Sequence, residues 1–436
     1  MLASRITAPK DKNMASSIPV AQNIPDIDGD SALNVSSSAG QGFLFQTCQA
    51  VVAWLPVLLA AISGLCAWLY GLKPQWRETK ITNAPVAADQ SRRGPSKRDW
   101  TTLDFSKTPP IAADHDWATT EERPYRPWHD GPHYVTMGIQ KSALDDWVEI
   151  DKTYLDRYNY KRYLYATHPE ETIAFLPCSV EPAHEALTYL VDFLPRRYPA
   201  MFEATAVGIR NKVTGDDWDL RCDSATWDAY TPLQVMGLLT TEDWFIMRTD
   251  DDDNKTTRLV AGANCFPAGW KLRERMGHSL WDIHAGKVPL YEKNLAKSMD
   301  RFFLRLRADQ AYMRFNYAVD VDKELFHIHS HHNLTAEEQA ARSGSGPVTL
   351  EQLHLRVERQ VLQRLPRTGA IAFSIRTYVT PITMVTRDRV WAKALRTNVN
   401  SYSPQVAQYK NKALWEKVLA EHLDEVIGPE DGDMEG

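Results

Sequence analysis

The chain has 436 residues, 43% of them hydrophobic, and a formal net charge of -6 at pH 7. This length and composition are those of a globular protein with a large core, and without any long basic run we predict no nucleic-acid partner. The five cysteines are scattered and form no CxxC pair, which argues against a zinc site, an iron–sulfur cluster and a disulfide framework.

The N-terminal region contains one long apolar stretch. Residues 1–45 are polar and lack a helical period, which predicts a disordered tail. No charged residue occurs between Asp30 and Lys73, and residues 50–72 are almost wholly apolar. At about 1.5 Å per residue they can cross a hydrocarbon layer of roughly 30 Å. We predict one transmembrane helix within 46–72, with a buried core helix as the alternative.

Charges on either side of this stretch predict its orientation. Lys73, Arg77 and Lys80 follow it closely, whereas no basic residue lies between Lys12 and the stretch. By the positive-inside rule the C-terminal part is cytosolic. We therefore predict a single-pass membrane protein with a cytosolic domain, in a membrane that the sequence does not identify.

The rest of the chain is predicted to contain a linker at 73–120, one globular domain at 121–427 and an acidic tail at 428–436. Within the domain, strands are predicted at 133–140, 244–248, 258–266, 313–319, 354–365 and 370–381. Helices are predicted at 145–160, 181–197, 270–283, 289–306 and 388–427. Antiparallel-type strands flanked by helices, without alternating strand–helix repeats, predict an α+β fold.

His284 follows the inward face of the helix predicted from residue 270. Leu272, Met276, Leu280 and Ile283 recur at steps of three or four and form that face. A neutral imidazole at such a corner can ligate a metal or haem iron, and cations beside it can pair with haem propionates. The cations close in sequence are Lys271, Arg273, Arg275 and Lys287. The alternative is a histidine that only hydrogen-bonds to backbone.

An aspartate run offers a different chemistry. It begins at Asp250, includes Asp252 and follows the strand-like WFIMRT, so it could hold a divalent metal on a nucleotide sugar, as in a membrane-anchored glycosyltransferase. A hydrophilic hairpin loop is the alternative. Glycosylation at the sequons of Asn254 or Asn333 would place the domain in the lumen, as that activity requires.

A histidine run, FHIHSHHN, offers a second metal site. In an extended strand His327, His329 and His331 would lie on one face and could bind iron or zinc. The run leads into a polar stretch, so a solvated loop is the alternative. The motifs GxGxxG, GxxxxGK[ST], HExxH and GxSxG are absent, which removes the common nucleotide-binding, zinc-protease and serine-hydrolase interpretations.

Several segments together resemble a known family. CFPAGWKLRERMGHSLWDIH, VPLYEKNL, DRFF and LRVERQVLQRLPRTGAIAFSIRTYVTPI resemble the haem-dependent oxidative N-demethylase alpha-subunit-like family, which includes membrane-anchored fungal members. GPHYVTMGI, WVEIDKTYLDR, FLPRRYPAMFE and NKVTGDDWDL appear in the same order. The resemblance therefore extends over nearly all of residues 121–382.

The resemblance implies a PAS-like antiparallel sheet with flanking helices that binds haem b. It also implies a monooxygenase-type oxidoreductase that hydroxylates an amine N-methyl group, after which the carbinolamine collapses to the demethylated amine and formaldehyde. The substrate would be a small-molecule amine or a secondary metabolite. Electrons would come from a separate reductase, because the chain has no flavin or nicotinamide motif and no cluster cysteines.

The resemblance also suggests roles for individual residues. His284 matches the family's histidine in an IH pair, here followed by AGKVPLY, and is the candidate axial ligand and catalytic residue, with His327 as second choice. The candidate propionate or substrate-pocket cations are Lys271, Arg273, Arg359 and Arg376. For each of them the alternative is an ordinary ion pair. For the whole protein the non-enzyme alternative is a haem sensor, because PAS-like folds more often sense than catalyse.

Overall fold

The computed structural model of the chain describes residues 107–112, 114–251, 255–329, 334–335, 337–338 and 347–429. The predicted tail and transmembrane helix lie outside these residues, as do Asn254 and Asn333. Among the described residues, no helix combines the length and hydrophobicity that a membrane span requires.

The strands of this part of the chain form two antiparallel sheets. Their bounds are β1 Gln140–Lys141, β2 Ile173–Phe175, β3 Phe202–Ala204, β4 Gly208–Asn211, β5 Asp217–Asp219, β6 Asp243–Thr249, β7 Thr257–Ala263, β8 Tyr312–Asp320, β9 His354–Arg364 and β10 Ile371–Pro381. The large sheet has the order β1-β8-β9-β10-β6-β7-β2, and the small one the order β3-β4-β5. A large antiparallel sheet with flanking helices confirms the predicted α+β class. The PAS-like fold within that class stays a prediction.

Helices cover both faces of the large sheet. Their bounds are α1 Tyr154–Thr167, α2 Pro169–Thr172, α3 Val180–Arg197, α4 Thr226–Ala229, α5 Pro232–Leu239, α6 Leu280–His284, α7 Ala296–Arg305, α8 Ile382–Val385, α9 Arg389–Asn400, α10 Pro404–Tyr409 and α11 Lys412–Ile427. On one face α1, α3 and α5 pack in a core that includes Trp244 and Val361. We call this the back face. On the other, the front face, α6 and α7 pack with Phe245 and Leu362.

The hairpin of β9 and β10 sets which side chains share a face. Its turn closes where Leu365 N donates to Ala370 O at 2.8 Å, and Gly369 adopts the φ of +71° that the turn requires. Arg376 pairs with Arg359 across the hairpin. Because neighbouring residues of a strand point to opposite faces, these two arginines share the back face, where they contact 146–151.

Outside the segment that carries His284, three predicted elements differ from the structure. In the strand predicted at 133–140, only Gln140 pairs with β8. Apolar residues before it pack against the front face but form no described strand pairing. The helix predicted from 145 begins at Tyr154, because the buried residues before it follow an irregular path against the sheet arginines. The helix predicted at 388–427 is three helices, interrupted at Pro404 and at Asn411, whose φ is +50°.

Residues that precede 121 already contact the domain. Ile111 N donates to Arg197 O at 2.8 Å, and Trp117 packs edge-on against Tyr154 with ring centroids 6.1 Å apart. These contacts attach the end of the predicted linker to the back-face core. The domain boundaries themselves stay a prediction.

Candidate functional site

The segment that carries His284 is not the single helix predicted from residue 270. It contains a 3-10 turn, Arg273–Arg275, and the short helix α6. Gly277, with a φ of +76°, lies between the 3-10 turn and α6 and prevents one continuous helix. Ser279 then starts α6 with a capping box: Asp282 N donates to Ser279 Oγ at 3.1 Å, and Ser279 N donates to Asp282 Oδ2 at 3.0 Å. His284 is the last residue of this capped helix.

The second predicted helix is confirmed, although its first turn is irregular. Tyr291–Leu295 forms a π-helical turn that continues directly into α7. Leu290, just before it, has a φ of +59°. The Tyr291 ring stacks on the His284 imidazole, with centroids 5.0 Å apart and planes 18° from parallel. The first turn of the second helix therefore packs directly against the imidazole.

The His284 imidazole has one engaged nitrogen. Nδ1 lies 2.7 Å from Leu280 O, and because a carbonyl only accepts, we assign the proton to Nδ1. Burial lowers the pKa of His284 to about 4. The ring is therefore neutral near pH 7 and keeps a lone pair on Nε2, which is the state that metal ligation requires.

Partly buried apolar side chains occur in the front-face core, both near His284 in sequence and on the sheet. Ile283 and Val288 pack in the front-face core and are only partly buried. The same is true of Phe373 and Ile375, although β10 is an interior strand of the sheet. An incompletely covered apolar surface on an interior strand is typical of a ligand site.

Arg275 is the first of two arginines beside this surface. Its Nη1 donates to Ile283 O at 3.1 Å, and its guanidinium lies 5.1 Å from the centre of the Trp270 ring. Its charge acts on the His284 imidazole and helps to lower the pKa of His284. Arg275 is therefore a cation held next to the candidate ligand by backbone and an aromatic ring.

Arg314 approaches His284 from the sheet. It lies on β8, pairs with Gln360 of β9, and donates from Nη1 to Gln360 Oε1 at 3.3 Å. Gln360 in turn pairs with Ile375, so Arg314 shares the front face with the apolar surface. Its charge also helps to lower the pKa of His284.

These residues fit a flat apolar cofactor that has acidic groups, such as haem. His284 offers a neutral imidazole nitrogen to iron, the partly covered residues offer apolar contacts to a porphyrin, and Arg275 and Arg314 offer cations to propionates. The fit rests on the donor set and on the oriented imidazole.

The four cations predicted from the sequence lie elsewhere. Lys271 is exposed and pairs with Glu274 at 3.8 Å, and the exposed Arg273 pairs with Glu170. Arg359 and Arg376 are fully buried on the back face, the side of the sheet opposite the core of α6 and α7. Their ion-pair partners are Asp146 and Glu149 for Arg359, and Asp151 for Arg376. The structure does not bring these four cations to His284.

His327, the second choice as ligand, lies in a polar cluster. Its Nε2 is 2.9 Å from Asp322 Oδ1, and with Asp320 these residues place one ligand atom each within 4.8 Å of one another. His329 is exposed, and His331 lies outside the described residues. His327 is thus paired with a carboxylate, whereas the engaged nitrogen of His284 faces a backbone carbonyl.

The aspartate run occupies the loop between β6 and β7. Asp250 Oδ2 lies 2.8 Å from Arg258 Nε, and the exposed Asp251 is 3.4 Å from Arg248. Asp252 lies outside the described residues. In this hairpin the first aspartates neutralise arginines of the two adjoining strands.

Arg314 and Tyr291 are the site residues that the sequence analysis missed. Arg314 lies in the strand predicted at 313–319 and Tyr291 in the helix predicted at 289–306, and neither was assigned a role in the site. A cation among the apolar residues of a strand was a usable signal for Arg314. Tyr291 had no comparable signal, because its contact depends on how the π-helical turn packs.

One comparison with known proteins bears on the whole domain. The model of a family described as haem-dependent oxidative N-demethylase, alpha subunit-like, matches residues 138–420. The matched region begins just before β1, ends within α11 and includes every candidate site residue described above. The predicted transmembrane helix lies outside it.

Proposed function

We propose, from the premise that the chain belongs to the haem-dependent oxidative N-demethylase alpha-subunit-like family, that it removes a methyl group from an amine nitrogen. Membership supports a haem-dependent oxidoreductase. The haem type, here haem b, and the substrate, here a small-molecule amine or a secondary metabolite, are our proposals.

One observation carries the proposal at the level of residues. His284 is neutral, its Nδ1 donates to Leu280 O at 2.7 Å, and its Nε2 keeps a lone pair. The adjoining Ile283 and Val288 are partly buried apolar residues of the front-face core. A backbone carbonyl that holds one imidazole nitrogen fixes both the tautomer and the ring direction of a metal ligand. We therefore propose His284 as the axial ligand.

The proposed reaction balances with one dioxygen, two electrons and two protons. Haem, when bound, supplies the reductive activation of dioxygen. One oxygen atom ends in formaldehyde with the methyl carbon, the other ends in water, and the nitrogen keeps a hydrogen in place of the methyl group. The two electrons require a separate reductase, because the chain carries no second redox motif.

The chain's own residues orient the ligand and exclude water. The capping box of Ser279 and Asp282 fixes the start of α6, which places Leu280 O under His284 Nδ1. The stacked Tyr291 ring limits rotation of the imidazole. The apolar side chains around it lower the local dielectric and strengthen polar interactions with the bound cofactor.

An absorption spectrum tests the cofactor and its ligand. The full-length protein is supplied with haem as wild type, as His284→Ala and as His327→Ala. We expect a stoichiometric Soret band that is lost or shifted only in His284→Ala. A band unchanged in His284→Ala but lost in His327→Ala would assign the ligand to His327, and no band in any sample would reject the function.

Product analysis separates an oxidase from a sensor. We expect formaldehyde from a methylated amine, in equal amount to the demethylated amine, only when dioxygen and a reductant are both supplied. Reversible binding of a gas ligand without product, across a panel of amines, would favour the haem sensor instead.

We also propose that residues 46–72 anchor the protein in a membrane with its domain in the cytosol. The support is the uncharged stretch 50–72 and the basic residues that follow it. We expect the full-length chain to stay with membranes after alkaline washing and to be digested by protease added to intact vesicles. Glycosylation at Asn254 or Asn333 would contradict this orientation.

A further inference from the structure

We propose that Arg275 and Arg314 form the carboxylate-binding part of the cofactor site and anchor the two propionates of the haem beside His284. This inference rests on the proposed function, since it concerns the same site. It replaces the four cations suggested by the sequence with two that the fold brings to His284.

Both guanidinium groups are held without a carboxylate partner in the described part of the chain. Arg275 contacts Ile283 O and the Trp270 ring, and Arg314 contacts the Gln360 amide oxygen. The Nε of Arg314 is buried and makes no hydrogen bond within that part. Each cation is therefore positioned by neutral groups, with donors left for another acceptor.

The nearest acidic side chains are engaged elsewhere. Glu274, next to Arg275 in sequence, is exposed and lies 3.8 Å from Lys271. Glu358 lies near Arg314, but its Oε2 accepts from the Asn316 amide at 3.3 Å and from the Gln360 amide at 2.8 Å. Neither glutamate forms a described ion pair with the two arginines.

Such cations are costly unless a ligand compensates them. Burial lowers the pKa of both Arg275 and Arg314, which is the sign of a guanidinium removed from water without enough negative charge nearby. Two buried arginines of the sheet, Arg359 and Arg376, pair with carboxylates, whereas the described contacts of Arg275 and Arg314 are with neutral groups. Glu358 supplies part of the charge that Arg314 needs, and we infer that a carboxylate ligand supplies the rest for both arginines.

The two cations converge on one place. Arg275 Nη1 donates to the carbonyl of Ile283, the residue before His284, and Arg314 lies on the face of the sheet that packs with α6 and α7. A ligand held at His284 thus has two cations near it, and haem presents two carboxylates on one edge of an otherwise apolar ring. Arginine suits this role because its planar donors bind a carboxylate in a bidentate manner.

The test is a haem titration of the full-length protein, followed by the Soret band. The ligands are haem and haem dimethyl ester, in which both carboxylates are neutralised. The proteins are wild type, Arg275→Gln, Arg314→Gln and the matched control Arg273→Gln, whose side chain is exposed and paired with Glu170.

We expect wild type and Arg273→Gln to bind haem at least about tenfold more tightly than the dimethyl ester. Arg275→Gln and Arg314→Gln should each lose about tenfold in affinity for haem and little in affinity for the ester. The inference is overturned if the two variants bind haem as the control does, or if wild type binds both ligands equally.

Thermal unfolding of the haem-free proteins separates ligand binding from a structural role. Because each substitution removes a partly buried charge that forms no described ion pair, Arg275→Gln and Arg314→Gln should unfold at the wild-type temperature or above it. A large loss of stability in both would mean that the arginines hold the fold together, and would overturn the inference. If wild type binds haem but the two arginine substitutions do not weaken that binding, only the inference about the arginines is rejected. If wild type does not bind haem at all, the inference and the proposed function are both rejected.

Discussion

Histidine side chains in this domain differ in what their ring nitrogens contact, and that difference decides which of them suits iron. The Nδ1 of His284 faces the carbonyl of Leu280, which leaves Nε2 as a neutral donor. The Nε2 of His327 instead lies 2.9 Å from the Asp322 carboxylate, so that nitrogen is already engaged by a charged group. His284 is therefore the better candidate for haem, and His327 for an ion pair or a polar metal cluster.

The buried His184 should make the stability of the domain depend on pH. His184 on α3 packs edge-on against Trp227 with centroids 4.8 Å apart, and burial, with a smaller contribution from Arg367, lowers its pKa to about 4. Between pH 6.5 and about pH 4 the unfolded chain binds a proton there that the folded chain does not. The contribution of His184 to stability is thus present above pH 6.5 and is lost as the pH falls.

We predict that the free energy of unfolding falls more for wild type than for His184→Gln when the pH is lowered from 7 to 5. The difference should reach up to about 2 kcal/mol, because one proton contributes about 1.4 kcal/mol per pH unit. Urea titrations at several pH values measure it, with the exposed His129→Gln as the control substitution. Parallel pH profiles for wild type and His184→Gln would show that His184 does not carry this effect.

At the scale of elements, the short helix α6 depends on its cap. A helix of five residues has little stability of its own, and the box of Ser279 and Asp282 satisfies donors at its first turn. Leu280, the first residue of this helix, supplies the carbonyl that orients His284. Loss of the cap should therefore disturb the ligand as well as the helix.

We predict that Ser279→Ala lowers stability by about 1 kcal/mol and weakens haem binding several-fold. Thr231→Ala is the matched control, because Thr231 and Gln234 form the same capping box at α5, which packs on the back face. It should lower stability by a similar amount without a change in haem affinity. Equal haem affinities for the two variants would show that α6 does not position the ligand.

At the scale of the whole molecule, one buried carboxylate connects distant parts of the chain. Glu149 pairs with Arg123 at 2.8 Å and with Arg359 at 3.3 Å, and it accepts from Tyr378 of β10. Burial alone would raise the pKa of Glu149, but Arg359 and Arg123 outweigh it and hold the pKa below its usual range. Ion pairs and hydrogen bonds of Glu149 thus connect the back face of the sheet to the segments that precede α1.

We predict that Glu149→Gln lowers the free energy of unfolding by about 3–5 kcal/mol, because it leaves the fully buried Arg359 without a major counter-charge. Denaturant unfolding measures the change. Glu121→Gln is the control, since Glu121 pairs with Lys152 at 2.6 Å but both side chains are exposed, and it should cost at most about 1 kcal/mol. Similar losses in the two variants would contradict the importance of the buried network.

Most long elements were predictable from local patterns. The strands around 244–248, 313–319 and 354–365, and the helix at 181–197, appear within a few residues of their predicted bounds. Their signals are apolar periodicity and turn residues, which act over about ten residues. The helix predicted at 270–283 was wrong because apolar spacing does not report an interruption, here at Gly277, that positive φ and a new N-cap impose.

The sequence by itself determined the α+β class and the family resemblance, and it supplied the proposal of His284, because periodicity and the order of motifs are properties of the linear chain. Only the tertiary structure decided which cations accompany His284. Alternation shows that Arg314 and Arg376 lie on strands, but the pairing register and the helices on each face decide which side chain meets which ligand. Arg376 therefore lies with a carboxylate on the back face, whereas the charges of Arg314 and Arg275, which are far apart in sequence, act on the imidazole.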